Sequence, residues 1–134
     1  MKTKLLIASV FSFIFTASSY AQWVQQTSGT AANFSGITCA KVNVCYVAGA
    51  NGVIRKTVNG GTNWTISASG STSNFASIRA RDSMNVWIGL AQQFRYTANA
   101  GALWSAMAPA TSISTHVIYD IAYLSPTFYI AVGG

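Results

Sequence analysis

The chain has no glutamate and only two aspartates, Asp82 and Asp120, among its 134 residues. Catalysis by a carboxylate pair needs one group as acid and another as base or nucleophile, so such chemistry has almost no candidate residues. Charged residues make up only 7% of the sequence and apolar residues 51%, the reverse of the composition that keeps a chain unfolded. Because this length suits one modest domain, we expect a single folded domain that is not an enzyme.

The first 21 residues have the pattern of a cleaved export signal. Lys2 and Lys4 precede an apolar run over 5–17, and the small residues that signal peptidase reads end at Ala21. A membrane anchor is the alternative, but this run is much shorter than the roughly 20 residues of a spanning helix. We therefore expect residues 1–21 to be a signal peptide and the mature chain to be periplasmic or secreted, without a membrane span. Its basic excess is mild, so no nucleic-acid partner is expected.

The mature part contains a repeat of about 40 residues. The segment from Phe34 aligns with the segment from Phe75 at offsets of 40 to 42 residues, and a shorter third copy begins near Val117. Each full copy alternates β-branched and aromatic stretches with Gly, Asn, Asp and Ser, a pattern that predicts four short strands. The predicted strands are 34–39, 44–49, 53–57 and 63–67 in the first copy, and 75–80, 85–89, 93–97 and 103–107 in the second. A four-stranded unit of this length is the size of one β-propeller blade.

The connection between the third and fourth predicted strands carries the most specific motif. It reads TVNGGTNW in the first copy and TANAGALW in the second. Asn and Gly accept positive φ, a Thr hydroxyl can close the turn, and the Trp ring can fold over the hairpin. The motif therefore predicts a rigid turn without a reactive group. Its defining positions are Thr57, Asn59, Gly61 and Trp64, and then Thr97, Asn99, Gly101 and Trp104.

This turn resembles the Asp-box, or bacterial neuraminidase repeat, with Asn where Asp is most common. Together with the stretch Cys45 to Gly49 and the N-G-V-I turn at 51–54, the repeat resembles exported β-propellers related to the photosystem II stability/assembly factors. The resemblance implies an all-β fold with four-stranded blades at about 34–67 and 75–107 and an incomplete one at 117–134. It also implies a binding or assembly scaffold without a cofactor, with a photosystem role if the source is photosynthetic. The second copy departs from the pattern at 91–94 and at Ala100, as a degenerate blade does.

Closed propellers have about 4 to 8 blades, whereas the mature chain holds about two and a half. We therefore expect residues 22–134 to be a partial propeller, either a fragment of a longer one or part of an assembly completed by other chains.

Four arginines stand out in so uncharged a chain: Arg55, Arg79, Arg81 and Arg95. Their forked guanidinium groups suit a surface that contacts acidic groups on another protein or an anionic glycan, and the resemblance places binding there. The alternative is that they only solvate the surface, with Arg81 in a local ion pair with Asp82. Arg55 and Arg95 recur at the same place in the repeat, which favours a shared role for these two.

Cys39 and Cys45 are the only cysteines, and they flank a predicted hairpin. In an exported chain a disulfide is the favoured interpretation. A metal site is the weaker alternative, because two thiols need further ligands and the single histidine, His116, is distant in sequence. We expect a disulfide and no metal.

Sialidases also contain the Asp-box and provide the alternative function. Their chemistry uses a Tyr nucleophile paired with Glu, and this sequence has no glutamate. A carbohydrate-binding or sialidase-like propeller is therefore the second hypothesis, behind a non-enzymatic scaffold.

Overall fold

The computed structural model describes residues 23–107, 116–125 and 128–134. The predicted signal peptide lies outside the described residues. Regular structure in the described ranges consists of β-strands and one short turn of 3-10 type, Ala50–Gly52. No helix within these ranges has the length and apolar character needed to cross a membrane. The predicted all-β class is confirmed.

In the described part of the chain, ten strands form three antiparallel sheets, each ordered as in the chain. The first sheet contains β1 (Phe34–Lys41), β2 (Val44–Gly49), β3 (Ile54–Thr57) and β4 (Thr65–Ile66). The second sheet contains β5 (Phe75–Ala80), β6 (Val86–Leu90), β7 (Gln93–Thr97) and β8 (Ser105–Met107). The third sheet contains β9 (Ile118–Ser125) and β10 (Phe128–Gly133).

The eight strands predicted in the two full copies are all present, with ends that differ by one or two residues. Both fourth strands begin later than predicted. The cause is the turn before them, because the Asn63 N–H is bonded to the Asn59 side chain and is not free to enter a ladder.

Strand pairing repeats from sheet to sheet. Cys45 lies opposite Thr57 in the first sheet, and Val86 lies opposite Thr97 in the second. The first two strands of all three sheets also share one register, which gives three isoleucines the same place in their sheets. These are Ile37 opposite Val47, Ile78 opposite Ile88, and Ile121 opposite Ala131. The repeat seen in the sequence is therefore a repeat of structure.

The sheets pack face to face, with the first strands β1, β5 and β9 adjacent. Side chains that alternate along β6 point in opposite directions, so Val86 and Ile88 pack toward the first sheet while Trp87 packs toward the third. All five residues of β6 are buried. A strand covered on both faces requires a continuous apolar run, and VWIGL is such a run.

Two apolar clusters hold the stack together. Between the first and second sheets lie Tyr46, Ala48, Ile54, Phe75, Ile78, Val86, Ile88, Leu90 and Trp104. Between the second and third sheets lie Trp87, Ile118 and Ile121, with Phe94, Tyr96 and Tyr129 packed against them. Burial of each large side chain contributes roughly 1.5–3 kcal/mol, so packing between the sheets is a major source of stability.

Candidate functional site

The turn after β3 is closed by its own side chains. Thr57 Oγ1 donates to Asn59 Oδ1 at 3.0 Å and accepts from the Gly61 N–H at 2.9 Å. Asn59 Oδ1 also accepts from the Asn63 N–H at 3.0 Å. Thr57 is 1% exposed, so these bonds satisfy polar groups that water does not reach.

The turn after β7 has the same bonds. Thr97 Oγ1 donates to Asn99 Oδ1 at 2.9 Å and accepts from the Gly101 N–H at 2.9 Å. Asn99 Oδ1 accepts from the Leu103 N–H at 2.9 Å. The Thr and Asn side chains are thus used within both turns, and their role is structural.

The tryptophan of the second turn contacts the preceding repeat. Its indole N–H, Trp104 Nε1, lies 2.8 Å from Ser67 Oγ, and the same hydroxyl donates to the Gly101 carbonyl at 2.6 Å. Gly101 has a φ of +83°, and a Cβ there would lie 2.5 Å from Ser67 Oγ. Glycine is therefore required both by the backbone conformation and by this close approach.

The first turn makes the corresponding contact with a different partner. Trp64 Nε1 lies 3.3 Å from Gln26 Oε1, and Gln26 Nε2 donates to the Gly60 carbonyl at 3.3 Å. Gln26 precedes Ser67 by 41 residues. Each turn therefore bonds to the segment that precedes its own sheet, a contact beyond the hairpin packing that the sequence suggested for the tryptophans.

Arg55 and Arg95 also bind the preceding segment. Arg55 Nη2 donates to the Gly29 carbonyl at 2.7 Å. Arg95 donates through Nη1 to Ser69 at 2.7 Å and through Nη2 to Gly70 at 3.2 Å, in each case to the carbonyl oxygen. Their recurrence in the repeat thus corresponds to a recurrent main-chain contact. A partner-binding role for these two residues stays a prediction.

Arg79 and Arg81 lie elsewhere, beside the third sheet. Arg79 is paired with Asp120 of β9 at 2.9 Å, and both side chains are 48% exposed. Arg81 is paired with Asp82 at 2.8 Å, as predicted, and its guanidinium carbon lies 5.6 Å from the centre of the Tyr123 ring. The four arginines therefore form two groups with different surroundings.

Both carboxyl groups are held in the ionised form. Hydrogen bonding from Arg79, and then from the Ile121 N–H, lowers the pKa of Asp120. Partial burial raises the pKa of Asp82, but hydrogen bonds from Arg81, Asn85 and the Met84 N–H outweigh it and hold this pKa well below its usual range. Neither group carries a proton near neutral pH that it could donate as a general acid.

A shallow groove runs between the first strands near Arg79. Its volume is about 160 Å³, and Arg79, Tyr119 and Asp120 form part of its lining together with Ser35 and Gly36. Exposed Tyr119 and half-exposed Arg79 give the groove a ring face and a cationic donor. The guanidinium in this groove is already paired with the Asp120 carboxylate.

Cys39 and Cys45 form the predicted disulfide, with an S–S distance of 2.06 Å. They are directly opposite one another on β1 and β2. The equivalent pair in the second sheet is Ala80 and Val86, which are ladder partners without a covalent link. The bond therefore links two strands of the first sheet that the hairpin already brings together.

The contacts of Gln26, Ser67 and Asp120 were missed by sequence reasoning. A signal for the first two exists, because each lies three residues after a tryptophan of the repeat, Trp23 or Trp64. Asp120 has no such signal, since its partner Arg79 belongs to another copy of the repeat.

No protein-family model matches this chain, and the curated proteins contain no match to it. The resemblance to Asp-box propellers therefore stays a prediction based on the quoted residues.

Proposed function

We propose that the three sheets are blades of an exported β-propeller that serves as a non-enzymatic binding or assembly scaffold, similar to the photosystem II stability/assembly factor-like proteins. The observation that carries the proposal is the recurrence of one contact between repeats. Trp64 binds Gln26, and Trp104 binds Ser67 one repeat later. A side-by-side stack in which each unit binds the one before it is how propeller blades are arranged.

The state of the polar side chains supports a scaffold rather than an enzyme. The hydroxyl and amide groups of the repeated turns are bonded within those turns. The two carboxylates are paired with Arg79 and Arg81. A surface of this kind presents shape, aromatic rings and fixed charges, which suffice for binding.

The proposed binding surface is centred on Arg79 and Arg81, with Tyr119 and Tyr123 beside them. Arg79 is in an exposed ion pair and Arg81 in a partly exposed one, and ion pairs that water reaches contribute little to stability. An acidic group on a partner protein can therefore replace Asp82 or Asp120 as the ligand of a guanidinium at small cost. In a photosynthetic source the partner would be a photosystem component, and otherwise another exported or envelope protein.

An anionic glycan is the second candidate ligand, because the groove places Arg79 near Tyr119. Guanidinium can bind a sugar carboxylate through two parallel hydrogen bonds, and a tyrosine ring can pack on a sugar face. Hydrolysis as in sialidases is a weaker candidate, since the glutamate that activates their nucleophile is missing from this sequence.

The test is cross-linking of the exported chain, tagged and purified, to extracts of its source, with Arg79→Ala and Arg81→Ala as variants. Lys41→Ala is the matched control, because it removes the same charge from an exposed position in β1. We expect both arginine variants to lose a cross-linked partner that Lys41→Ala retains. Equal cross-linking by all three variants would contradict this surface.

A parallel assay uses sialylated and uronic-acid glycans immobilised on a surface. Retention of glycans by the wild type, weakened in Arg79→Ala, would support the glycan alternative. Release of free sugar from these glycans would contradict the non-enzymatic proposal.

A further inference from the structure

Each sheet has a forward face, which looks toward the next sheet along the chain, and a rear face, which looks toward the previous one. The central forward residue of the second strand is Tyr46 in the first sheet and Trp87 in the second, and these are 0% and 5% exposed. The register of the third sheet puts Ile130 in the same place, opposite Ala122. Ile130 is 45% exposed, so the forward face of the third sheet is uncovered.

The rear face of the first sheet is exposed along β1, although Val47 of β2 on the same face is only 7% exposed. Ile78 and Ile121, on the rear faces of the second and third sheets, are 1% and 3% exposed. Ile37 holds the equivalent place in the first sheet and is 59% exposed. Phe34 is 38% exposed, whereas its equivalent Phe75 is 2% exposed.

These two open faces are the two halves of an interface that the molecule already forms twice. Tyr46 and Ile78 belong to the cluster between the first and second sheets. Trp87 and Ile121 belong to the cluster between the second and third. Ile130 and Ile37 hold the corresponding places on the two outer faces of the stack that the described residues form.

We propose that two copies of this chain associate head to tail, with the forward face of one copy's third sheet packed on the rear face of the other copy's first sheet. Ile130 of one copy then lies against Ile37 of the other. A second copy is the occupant because it carries the matching rear face in the same register, so the new junction continues an interface already present twice in the chain.

The outer segment before the first sheet fits this arrangement. Gln26 and Gly29 already lie against the first sheet as Ser67 and Gly70 lie against the second. The first sheet thus already carries a preceding outer segment in the position that Ser67 and Gly70 have on the second sheet. In the proposed contact, β9 and β10 of another copy take the place that the first two strands of a preceding sheet would have.

Strand β10 brings no charged side chain to the contact. Strand β10, FYIAVG, contains no charged residue, and its Phe128, Ile130 and Val132 are each at least 45% exposed. Because the two faces are different surfaces, the association is heterologous and extends to rings or longer stacks.

The test is sedimentation velocity of the exported wild-type chain over a wide concentration range, beside Ile37→Lys and Ile130→Lys. Each lysine puts a charge into one half of the junction. Val42→Lys is the control, because Val42 is 94% exposed in the turn between β1 and β2. We expect wild type and Val42→Lys to grow in mass with concentration, and each face variant to remain a monomer.

Mixing the two face variants gives the decisive result. Ile37→Lys retains an intact forward face and Ile130→Lys an intact rear face, so an equal mixture should form dimers and nothing larger. A wild-type chain that is monomeric at all concentrations would overturn the proposal, and would show that these faces are covered by other means. Loss of assembly in Ile130→Lys alone would also overturn it, since that pattern fits a symmetric contact between two third sheets.

Folding of the variants is checked by near-ultraviolet circular dichroism and by the resistance of Cys39 and Cys45 to thiol labelling. If a lysine variant fails this check, Ile37→Thr and Ile130→Thr replace the pair. The same monomers and the same mixed dimer are expected from them, and assembly unchanged by both threonines would count against the proposal.

Discussion

Ser67 and Trp104 are joined across the boundary between the first and second sheets by a hydrogen bond of 2.8 Å. Both residues are buried, at 6% and 5% exposure. The same serine hydroxyl donates to the Gly101 carbonyl, so one small side chain satisfies a buried donor and a buried acceptor of the following repeat. The side-chain oxygen of Gln26 accepts the corresponding hydrogen bond from the Trp64 N–H. The contact recurs although the side chain that makes it changes.

Ser67→Ala should lower the free energy of unfolding by about 1–3 kcal/mol, because the Trp104 N–H and the Gly101 carbonyl lose their partner without gaining water. Urea denaturation followed by circular dichroism measures this. The control is Ser73→Ala, at an exposed position, where a change within about 0.5 kcal/mol is expected. Equal midpoints for the two variants would show that the bond across the boundary is not a stabilising one.

Arg95→Met should also lower stability, here by about 1–3 kcal/mol, because a charged donor leaves the carbonyls of Ser69 and Gly70. Lys41→Met is the control, since it removes an exposed cation at an equal charge change. Thermal and urea unfolding are measured with the purified chain alone. If Arg95 only solvates the surface, Arg95→Met and Lys41→Met should have the same unfolding midpoint. That result would favour the solvating role that the sequence left open.

The sequence predicts the sheets well and the contacts between them poorly. The strands follow from local alternation and turn residues, which is why the eight predicted strands of the two full copies are all present. The Thr57 and Asn59 turn is also local, since its bonds join residues at most four apart. The Arg79–Asp120 pair joins residues 41 apart, and no local pattern shows which residues of neighbouring repeats meet.

The arginines illustrate the same limit. Their recurrence in the repeat indicated a shared role for Arg55 and Arg95, and the structure gives both a main-chain carbonyl of the preceding segment as partner. Which surface group a guanidinium reaches depends on how the sheets are stacked. The position in the repeat therefore indicated that the two arginines share a role, but it did not indicate which chemical group each one binds.

Ala100→Gly should stabilise the protein by about 0.5–1 kcal/mol. Ala100 has a φ of +57°, where the first repeat has Gly60 at +67°, and an L-residue pays roughly 1–2 kcal/mol for this conformation. The reverse exchange, Gly60→Ala, should lower stability by a similar amount. Ala102→Gly is the control because Ala102 is outside the positive-φ set, so glycine there should only lower stability. A destabilised Ala100→Gly would show that the turn does not strain the alanine.

Asp82 should make stability depend on pH in the acid range. Its pKa is lower in the folded state than the value of about 3.9 in an unfolded chain, so the unfolded state takes up a proton first as the pH falls. The contribution of Asp82 is then complete above about pH 4 and decreases as the pH falls toward the folded-state pKa. Asp82→Asn removes the titrating group and keeps the shape, so the difference in unfolding midpoint between wild type and variant should shrink on acidification from pH 6 to about pH 2.

Asp120→Asn is the comparison. Because the Arg79–Asp120 pair is an exposed one, the effect of this substitution on the midpoint should be smaller and should fade in salt. A wild-type midpoint that falls no more steeply with acid than that of Asp82→Asn would show that the hydrogen bonds of Met84 and Asn85 to this carboxylate do not stabilise the fold.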